Sequence, residues 1–268
     1  MARLHCPTER GTMSNSINYA RVADLYDTYV QTTFDIPFFL NEARKTAGEV
    51  LELMSGTGRV SVPLVEAGVR LTCVDASLEM LALLREKLTR RRVAAPVHQM
   101  DVRELALQKQ FDLIFIPFQS FSELLSPSDQ RKAFVCIHEH LAETGRFICT
   151  LHNPCVRLKR VDGQLRLWGK YPLEDRQGTL LFWGLENYDS DAHSVSGLEF
   201  FEEYDANGVM QSKRAVELCF RIVEKREFED LAASVGFKVA ALYGDYSYSE
   251  FYEDTSPFMI WMLKDGCR

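Results

Sequence analysis

Two closely spaced glycines, in Ser55-Gly56-Thr57-Gly58, follow at once on the short apolar run Val50-Leu51-Glu52-Leu53. Glycines at such a turn permit positive φ and let a ligand come close to the backbone. A lone Gly-x-Gly is weak evidence of a site. Here three later apolar runs also end in residues with chemical potential: Asp75 after 69–74, Asp101 after 97–100, and Pro117-Phe118-Gln119 after 111–116. In open α/β sheets ligands bind beyond the carboxyl ends of the strands. Asp75 follows the glycine turn by about twenty residues, where a carboxylate accepts hydrogen bonds from both hydroxyls of a ribose.

The charge of the turn selects among ribose-bearing cofactors. A dinucleotide needs a third glycine, and Ser61 stands in its place. Glu52 adds negative charge four residues before Gly56, which suits a pyrophosphate badly. A cofactor carrying sulfonium and ammonium charges fits an acidic turn better. The bland alternative is that Glu52 and Asp75 only cap helices.

These residues need a scaffold. A helical apolar-aromatic pattern covers 17–29, and a second helix runs over 36–46 from Pro37. Strands are predicted at 50–53, 69–74, 97–100, 111–116 and 146–151. Helices fall between them at 59–66, 78–89 and 126–141, the last capped at Ser126. Alternating apolar strands and helices imply an α/β fold, a parallel sheet with helices on both faces. After Pro154 the texture becomes β-rich, with an Asn207-Gly208 hairpin signal. Residues 157–222 are therefore expected to form an antiparallel β insertion after strand five. A helix over 226–235 and strands at 237–243 and 258–263 complete the chain. The expected organisation is a disordered 1–16 with Met13 as a second possible start, a main domain over 17–156 and 223–268, and the insertion between them.

With the elements in place, the motifs are similar to those of the class I S-adenosylmethionine-dependent methyltransferases. The resemblance covers roughly residues 19–155 well and the last strands more loosely. Glu52-Leu53-Met54-Ser55-Gly56-Thr57-Gly58 resembles the first motif, with Met54 in place of its first glycine. LTCVDASLEML resembles the second, HQMDVREL the third and FDLIFIPFQSF the fourth. The resemblance implies a Rossmann-like, seven-stranded, mostly parallel sheet and S-adenosylmethionine as cofactor. It implies cofactor contacts from Tyr26, Glu52, Met54, Gly56, Gly58, Asp75, Ala76, Met80, Asp101, Val102, Pro117 and Phe118. Asp101 would meet the adenine amino group and Val102 its ring. Tyr26-Asp27, Asp35-Ile36-Pro37-Phe38 and the segment LYGDYSYSEFYEDTSPFMIWML look like bacterial small-molecule methyltransferases, including amino-sugar and glycine N-methyltransferase-like groups.

Methyl transfer from a sulfonium is an in-line displacement from an activated leaving group, so position and desolvation matter most. A base is needed only for an acceptor that arrives protonated. His152, after strand five, is a candidate base or a structural loop histidine. Tyr19 and Tyr26 either cover the cofactor or pack on the core. Tyr19, Gln119 and Phe121, with Tyr243, Asp245 and Tyr246, are expected to wall the acceptor site. The predicted function is methylation of an N or O atom of a small molecule. Alternatives are a nucleic-acid or protein methyltransferase, or a non-catalytic cofactor-binding protein of the same fold.

Composition bounds the rest. A net charge of −7 offers no electrostatic footprint for nucleic acid or an anionic membrane. No run has the length of an apolar membrane span and no export signal is visible, so a cytoplasmic enzyme is expected, with a homodimer as one option for its assembly. The seven cysteines include no CxxC pair, and no metal site is expected. Cys73, Cys136, Cys149 and Cys219 lie among apolar residues and read as small buried hydrophobes.

Overall fold

A computed structural model describes residues 17–46, 48–173 and 177–266; the expectations for 1–16 lie outside them. The main sheet has seven strands: β1 Val50–Leu53, β2 Leu71–Asp75, β3 Val97–Gln99, β4 Phe111–Ile116, β5 Leu141–His152, β10 Phe237–Tyr243 and β11 Phe258–Asp265. Their order is β10-β11-β5-β4-β1-β2-β3, with β11 antiparallel to both neighbours and the rest parallel. Strand order reverses between β1 and β4, and the crevice at their carboxyl ends is where the fold accepts a ligand. The central strands are apolar because helices cover both faces. One core holds Leu51, Ile114, Phe134, Phe147 and Trp261; the other holds Phe39, Leu64, Leu84, Phe115 and Ile148.

The helices are α1 Ala23–Tyr29, α2 Ile36–Arg44, α3 Ser61–Glu66, α4 Leu78–Arg91, α5 Pro127–His140, the single turn α6 Pro154–Arg157 and α7 Lys225–Val235. The Ser77 hydroxyl caps α4 by accepting from Met80 N, and Ser126 caps α5 by accepting from Asp129 N. Each cap satisfies an amide that has no partner within its own helix.

Two boundaries differ from the sequence reading. The helix expected over 17–29 is broken: Ile17 bridges to Leu218, Tyr19–Arg21 is a 3-10 turn, and only α1 is α-helical. At Val22 the backbone leaves the helical region (φ −140°, ψ 7°), which separates the 3-10 turn from α1. Strand five starts at Leu141, directly after α5, and not at 146. Gly145 lies within it, where a Cβ would press on the carbonyls of Ala142 and Phe111 at 2.9 Å.

The insertion is a four-stranded antiparallel sheet, β6 Arg166–Leu173, β7 Gly178–Asp189, β8 Ser194–Tyr204 and β9 Met210–Arg221, in sequential order. It follows α6 and a 3-10 turn at Leu158–Arg160, so the stretch expected to be β-structured opens with helical turns. The β8–β9 turn uses Gly208 at φ 77°, and Asp205 Oδ1 accepts from the amides of Asn207 and Val209. One face of the sheet packs Leu180, Phe182, Phe201 and Val216 against Val22, Leu25 and Tyr29. Burying a ring such as Phe201 contributes roughly 1.5–3 kcal/mol, so α1 is held on the insertion, and it also meets α4 of the main domain. Cys73 and Cys149 are free and buried, as expected. Cys219 is not a free thiol, being disulfide-bonded.

Candidate active site

The turn after β1 is built by φ angles that favour glycine. Gly56 has φ 55° and Gly58 φ 83°, and Met54 takes φ 57°. The departure at Met54 therefore leaves the turn intact, at a cost of about 1–2 kcal/mol for a side chain in the left-handed region. Asp75 clamps the turn from β2: Oδ2 accepts from Gly56 N at 2.7 Å and Oδ1 from Ser77 N at 2.8 Å. Desolvation raises its pKa, and those amide bonds oppose the rise without cancelling it.

Gly56 and Gly58 serve different purposes. A Cβ on Gly56 would find only Met80 Cε, at 3.6 Å, so that side of the turn is open to a ligand. A Cβ on Gly58 would run into Leu84 Cδ1. Gly58, expected to cradle the cofactor, also admits α4 against the turn. A residue the sequence reading missed sits between them and Met54: Ser55 is buried, and its Oγ has no hydrogen-bond partner. An orphaned hydroxyl beside an open glycine face is a polar atom awaiting a ligand.

Glu52 lies under the turn, 1% exposed, and accepts from Ser61 Oγ at 2.6 Å. Ser61, the residue standing where a dinucleotide site has glycine, is thus its partner. Burial pushes the Glu52 carboxyl up to about 8. This carries a prediction. An acid whose folded pKa is raised stabilises the native state below its unfolded pKa, near 4.5, and that contribution disappears as pH climbs toward 8. The ligand-free protein should lose melting temperature between about pH 5 and 8, with a shallower fall in Glu52→Gln. Equal slopes in scanning calorimetry would show Glu52 ionised throughout.

The N-terminal elements close over the turn. Thr57 Oγ1 donates to Asp27 Oδ1 at 2.7 Å, and Asp27 also pairs with Lys87 of α4 at 2.5 Å. Arg59 makes a bidentate pair with buried Asp35 at 2.5 and 2.6 Å, donates to Thr32 O, and lies 4.5 Å from the Phe118 ring centroid. Tyr26 packs edge-on to Tyr19 and Tyr29, and its hydroxyl is held protonated by burial first, with Arg59 opposing and Glu123 and Asp75 reinforcing. Tyr19 donates to Glu123 at 2.8 Å, tying its turn to the segment after β4.

Toward β3 the picture is plainer. Met80 is buried beside the turn and Ala76 is exposed. Val102 packs into the core beneath. Both oxygens of Asp101 accept from Arg103, which also reaches Asp129. Asp101 was expected to meet an adenine; in this structure its strongest partner is the guanidinium.

Beyond β4 the backbone is strained. Pro117 is buried, and Phe118 and Gln119 both take positive φ, 55° and 60°. Consecutive left-handed residues of this kind gather where a site over-determines the chain. Gln119 N donates to Thr150 Oγ1 at 3.3 Å, and its side-chain amide reaches Tyr246 Oη at 3.4 Å. Tyr246 packs on Phe34, Phe38 and Phe258, and His152 stacks on Phe258 at 5.8 Å. Gln119, Tyr246 and His152 thus share one rim.

Of the other expected acceptor residues, Phe121 turns away from the site, while Asp245 and Tyr243 are engaged within their own segment. Phe121 is fully buried against Phe134 and Phe228, because the short 3-10 turn after Gln119 rotates it into the core. Asp245 accepts from the amides of Ser247 and Ser249 and shapes its own loop. Tyr243 packs against Tyr248. His152 also departs from expectation. Desolvation, with Arg157 and Arg160 nearby, lowers its pKa to about 3, so it takes up no proton near neutrality.

Residues 50–145 match the family model described as methyltransferase domain. A glycine/sarcosine N-methyltransferase of Aphanothece halophytica is 31% identical over 134 residues, 48% of this chain and 50% of that protein. One of Halorhodospira halochloris is 26% identical over 243 residues, 87% of this chain and 81% of that protein. Several of these alignments span only about half the length of the relatives concerned. Among solved structures, the CcbJ methyltransferase of Streptomyces caelestis superposes with a TM-score of 0.77 at 23% identity, covering 94% of this chain and 99% of that one. That likeness speaks to the fold. With the strand order and the glycine turn clamped by Asp75, these findings give the chain a methyltransferase-like domain over residues 50–145, similar to proteins that use S-adenosylmethionine as cofactor. The open face of Gly56, the unpaired Ser55 hydroxyl and the acidic turn fit that cofactor.

Proposed function

We propose that the protein transfers a methyl group from S-adenosylmethionine to the nitrogen of a small-molecule amine. The observation that carries this reading is the rim beside the glycine turn, polar and aromatic, where Gln119, Tyr246 and His152 supply no strong base among the described residues. His152 is neutral with a pKa near 3, and Gln119 and Tyr246 do not titrate near neutrality as bases. A hydroxyl acceptor needs a base in the transition state, whereas an amine needs only to lose an ammonium proton. The names of the N-methyltransferase relatives support the same choice.

The bound cofactor supplies a methyl on positively charged sulfur, so the leaving group needs no further activation. The remaining work falls to the chain. Asp75 and Gly56 hold the ribose end, with Tyr26, Met54, Met80, Asp101, Val102, Pro117 and Phe118 around the rest. The network of Tyr19, Tyr26 and Asp27 keeps α1 over the site and excludes water. Gln119 and Tyr246 orient the acceptor, and His152 is a neutral wall.

The test uses methyl-labelled cofactor with glycine, sarcosine and amino sugars, alongside the same sugars with hydroxyl in place of the amine. N-methyl products are expected. Transfer to the hydroxyl compounds alone would overturn the reading. His152→Ala should lower kcat less than about tenfold, against the 10²–10⁴ typical of a general base, and should leave the pH profile without a new limb.

A further inference from the structure

The insertion carries a carboxyl group that the reading above does not use. Glu199 sits in β8, opposite Gly184 of β7 and Val216 of β9. Side chains alternate along a strand, so Glu199 shares a face with Phe201 two residues on. Phe201 packs on Tyr29 with ring centroids 5.0 Å apart. Glu199 therefore points toward α1 and the main domain. It keeps partial exposure and stands opposite a strand position without a side chain, so it borders a recess, and desolvation raises its pKa to about 8. Among the described residues it makes no hydrogen bond; it feels the charge of Glu186, and its own charge acts on the Tyr29 hydroxyl.

Three features shape that recess. Gly184 has no side chain, and the Trp168 indole lies over it, so closely that a Cβ there would strike the ring. Trp168 also meets Phe182 edge-on at 5.2 Å and is 39% exposed, so the aromatic wall is reachable. Glu186, on the same face, is already paired with Arg157 at 2.5 and 2.6 Å. Glu203, also on this face, is paired with Arg214 at 2.8 Å, so Glu199 is the carboxyl here without an ion-pair partner among the described residues. The recess is also near the chemistry. Tyr29 stacks edge-on with Tyr26 at 5.5 Å, and Tyr26 feels the charges of Asp75 and Arg59.

A carboxyl without a partner, beside an indole and a phenol, is a recognition surface for an organic cation. The carboxylate pairs with the ammonium, and the ring faces take its alkyl groups or its charge. We propose that Glu199, walled by Trp168 and Tyr29, recognises a protonated amine of the methyl acceptor. This rests on the amine reading above and makes the insertion the specificity element of the site.

The test loads the protein with S-adenosylhomocysteine and follows the Glu199 carboxyl by carbon-13 NMR, its resonance assigned with Glu199→Gln. Ethanolamine is the probe, ethylene glycol its neutral counterpart, and sodium chloride holds ionic strength constant. Ethanolamine should lower the Glu199 midpoint toward the ordinary carboxylate range, because a cation favours the ionised form, while ethylene glycol leaves it in place. Glu199→Gln should weaken ethanolamine binding about tenfold, or 1.4 kcal/mol. Gly184→Ala should weaken it too and shift the tryptophan emission by displacing the indole. An unmoved midpoint with ethanolamine, or equal affinity in wild type and Glu199→Gln, would overturn the proposal. Failure of the loaded cofactor product to bind at all, read by calorimetry, would instead defeat the enzymatic reading, so the two failures are distinguishable.

Discussion

Valine at Gly58 is expected to unfold much of what valine at Gly56 leaves standing. The glycines are two residues apart and both have positive φ, yet their surroundings differ. At Gly58 the new side chain meets Leu84 of α4, a fully buried residue of the core beneath β1 and β2. Overpacking costs roughly 1–3 kcal/mol, and a Cβ in the left-handed region adds about 1–2 kcal/mol. The combined loss of roughly 2–5 kcal/mol is a large share of the 5–15 kcal/mol typical of a domain. At Gly56 only Met80 Cε is near, at 3.6 Å, so the backbone strain alone is paid in stability. There the branched side chain projects into the open face, and cofactor affinity should fall about 100-fold or more, some 2.7 kcal/mol. Denaturant melts and calorimetry with S-adenosylhomocysteine separate the two. Equal melting midpoints would remove the distinction, and wild-type affinity in Gly56→Val would remove Gly56 from the cradle.

The same pair shows what was legible beforehand. Glycine identity and spacing are sequence properties, and they mark the turn correctly. Which glycine faces a ligand and which faces a helix depends on where α4 packs, a tertiary fact. Strand ends were legible for a related reason: apolar runs of four to six residues between helices locate β1, β2 and β4, and with them Asp75 and Gln119. Phe121 was misplaced because a 3-10 turn after two left-handed residues reverses the direction a simple loop would give it. His152 was correctly placed at the end of β5, but its pKa depends on Phe258, Arg157 and Arg160, which join it only in the folded chain. Ser55, Arg59 and Glu199 carry no pattern of their own. An orphaned hydroxyl, a buried ion pair and an unpartnered acid become visible only as contacts present or missing.

Asp75→Ala should weaken cofactor binding by about 1.5–3 kcal/mol, the range for hydrogen bonds to a charged group, or roughly 10- to 150-fold. Asp75 closes the turn through Gly56 N and Ser77 N, and each carboxylate oxygen keeps lone-pair capacity for a ribose hydroxyl. The variant thus loses the ligand contacts and the clamp on the turn together. Asp75→Asn separates these. Its amide oxygen still accepts from one backbone amide, but its NH₂ group confronts the other, so the turn is only half closed. Its affinity should fall between alanine and wild type. The pH dependence follows from the raised pKa, set by desolvation that the two amide bonds only partly offset. Ribose hydroxyls bind the carboxylate, so wild-type affinity should decline on acidification, starting above the usual carboxylate range, while both variants lack this component. Calorimetry with S-adenosylhomocysteine at several pH values measures all three proteins. Wild-type affinity in a folded Asp75→Ala would exclude the ribose role, because the other carboxylate on this turn, Asp27, engages the Thr57 hydroxyl and not Gly56 N.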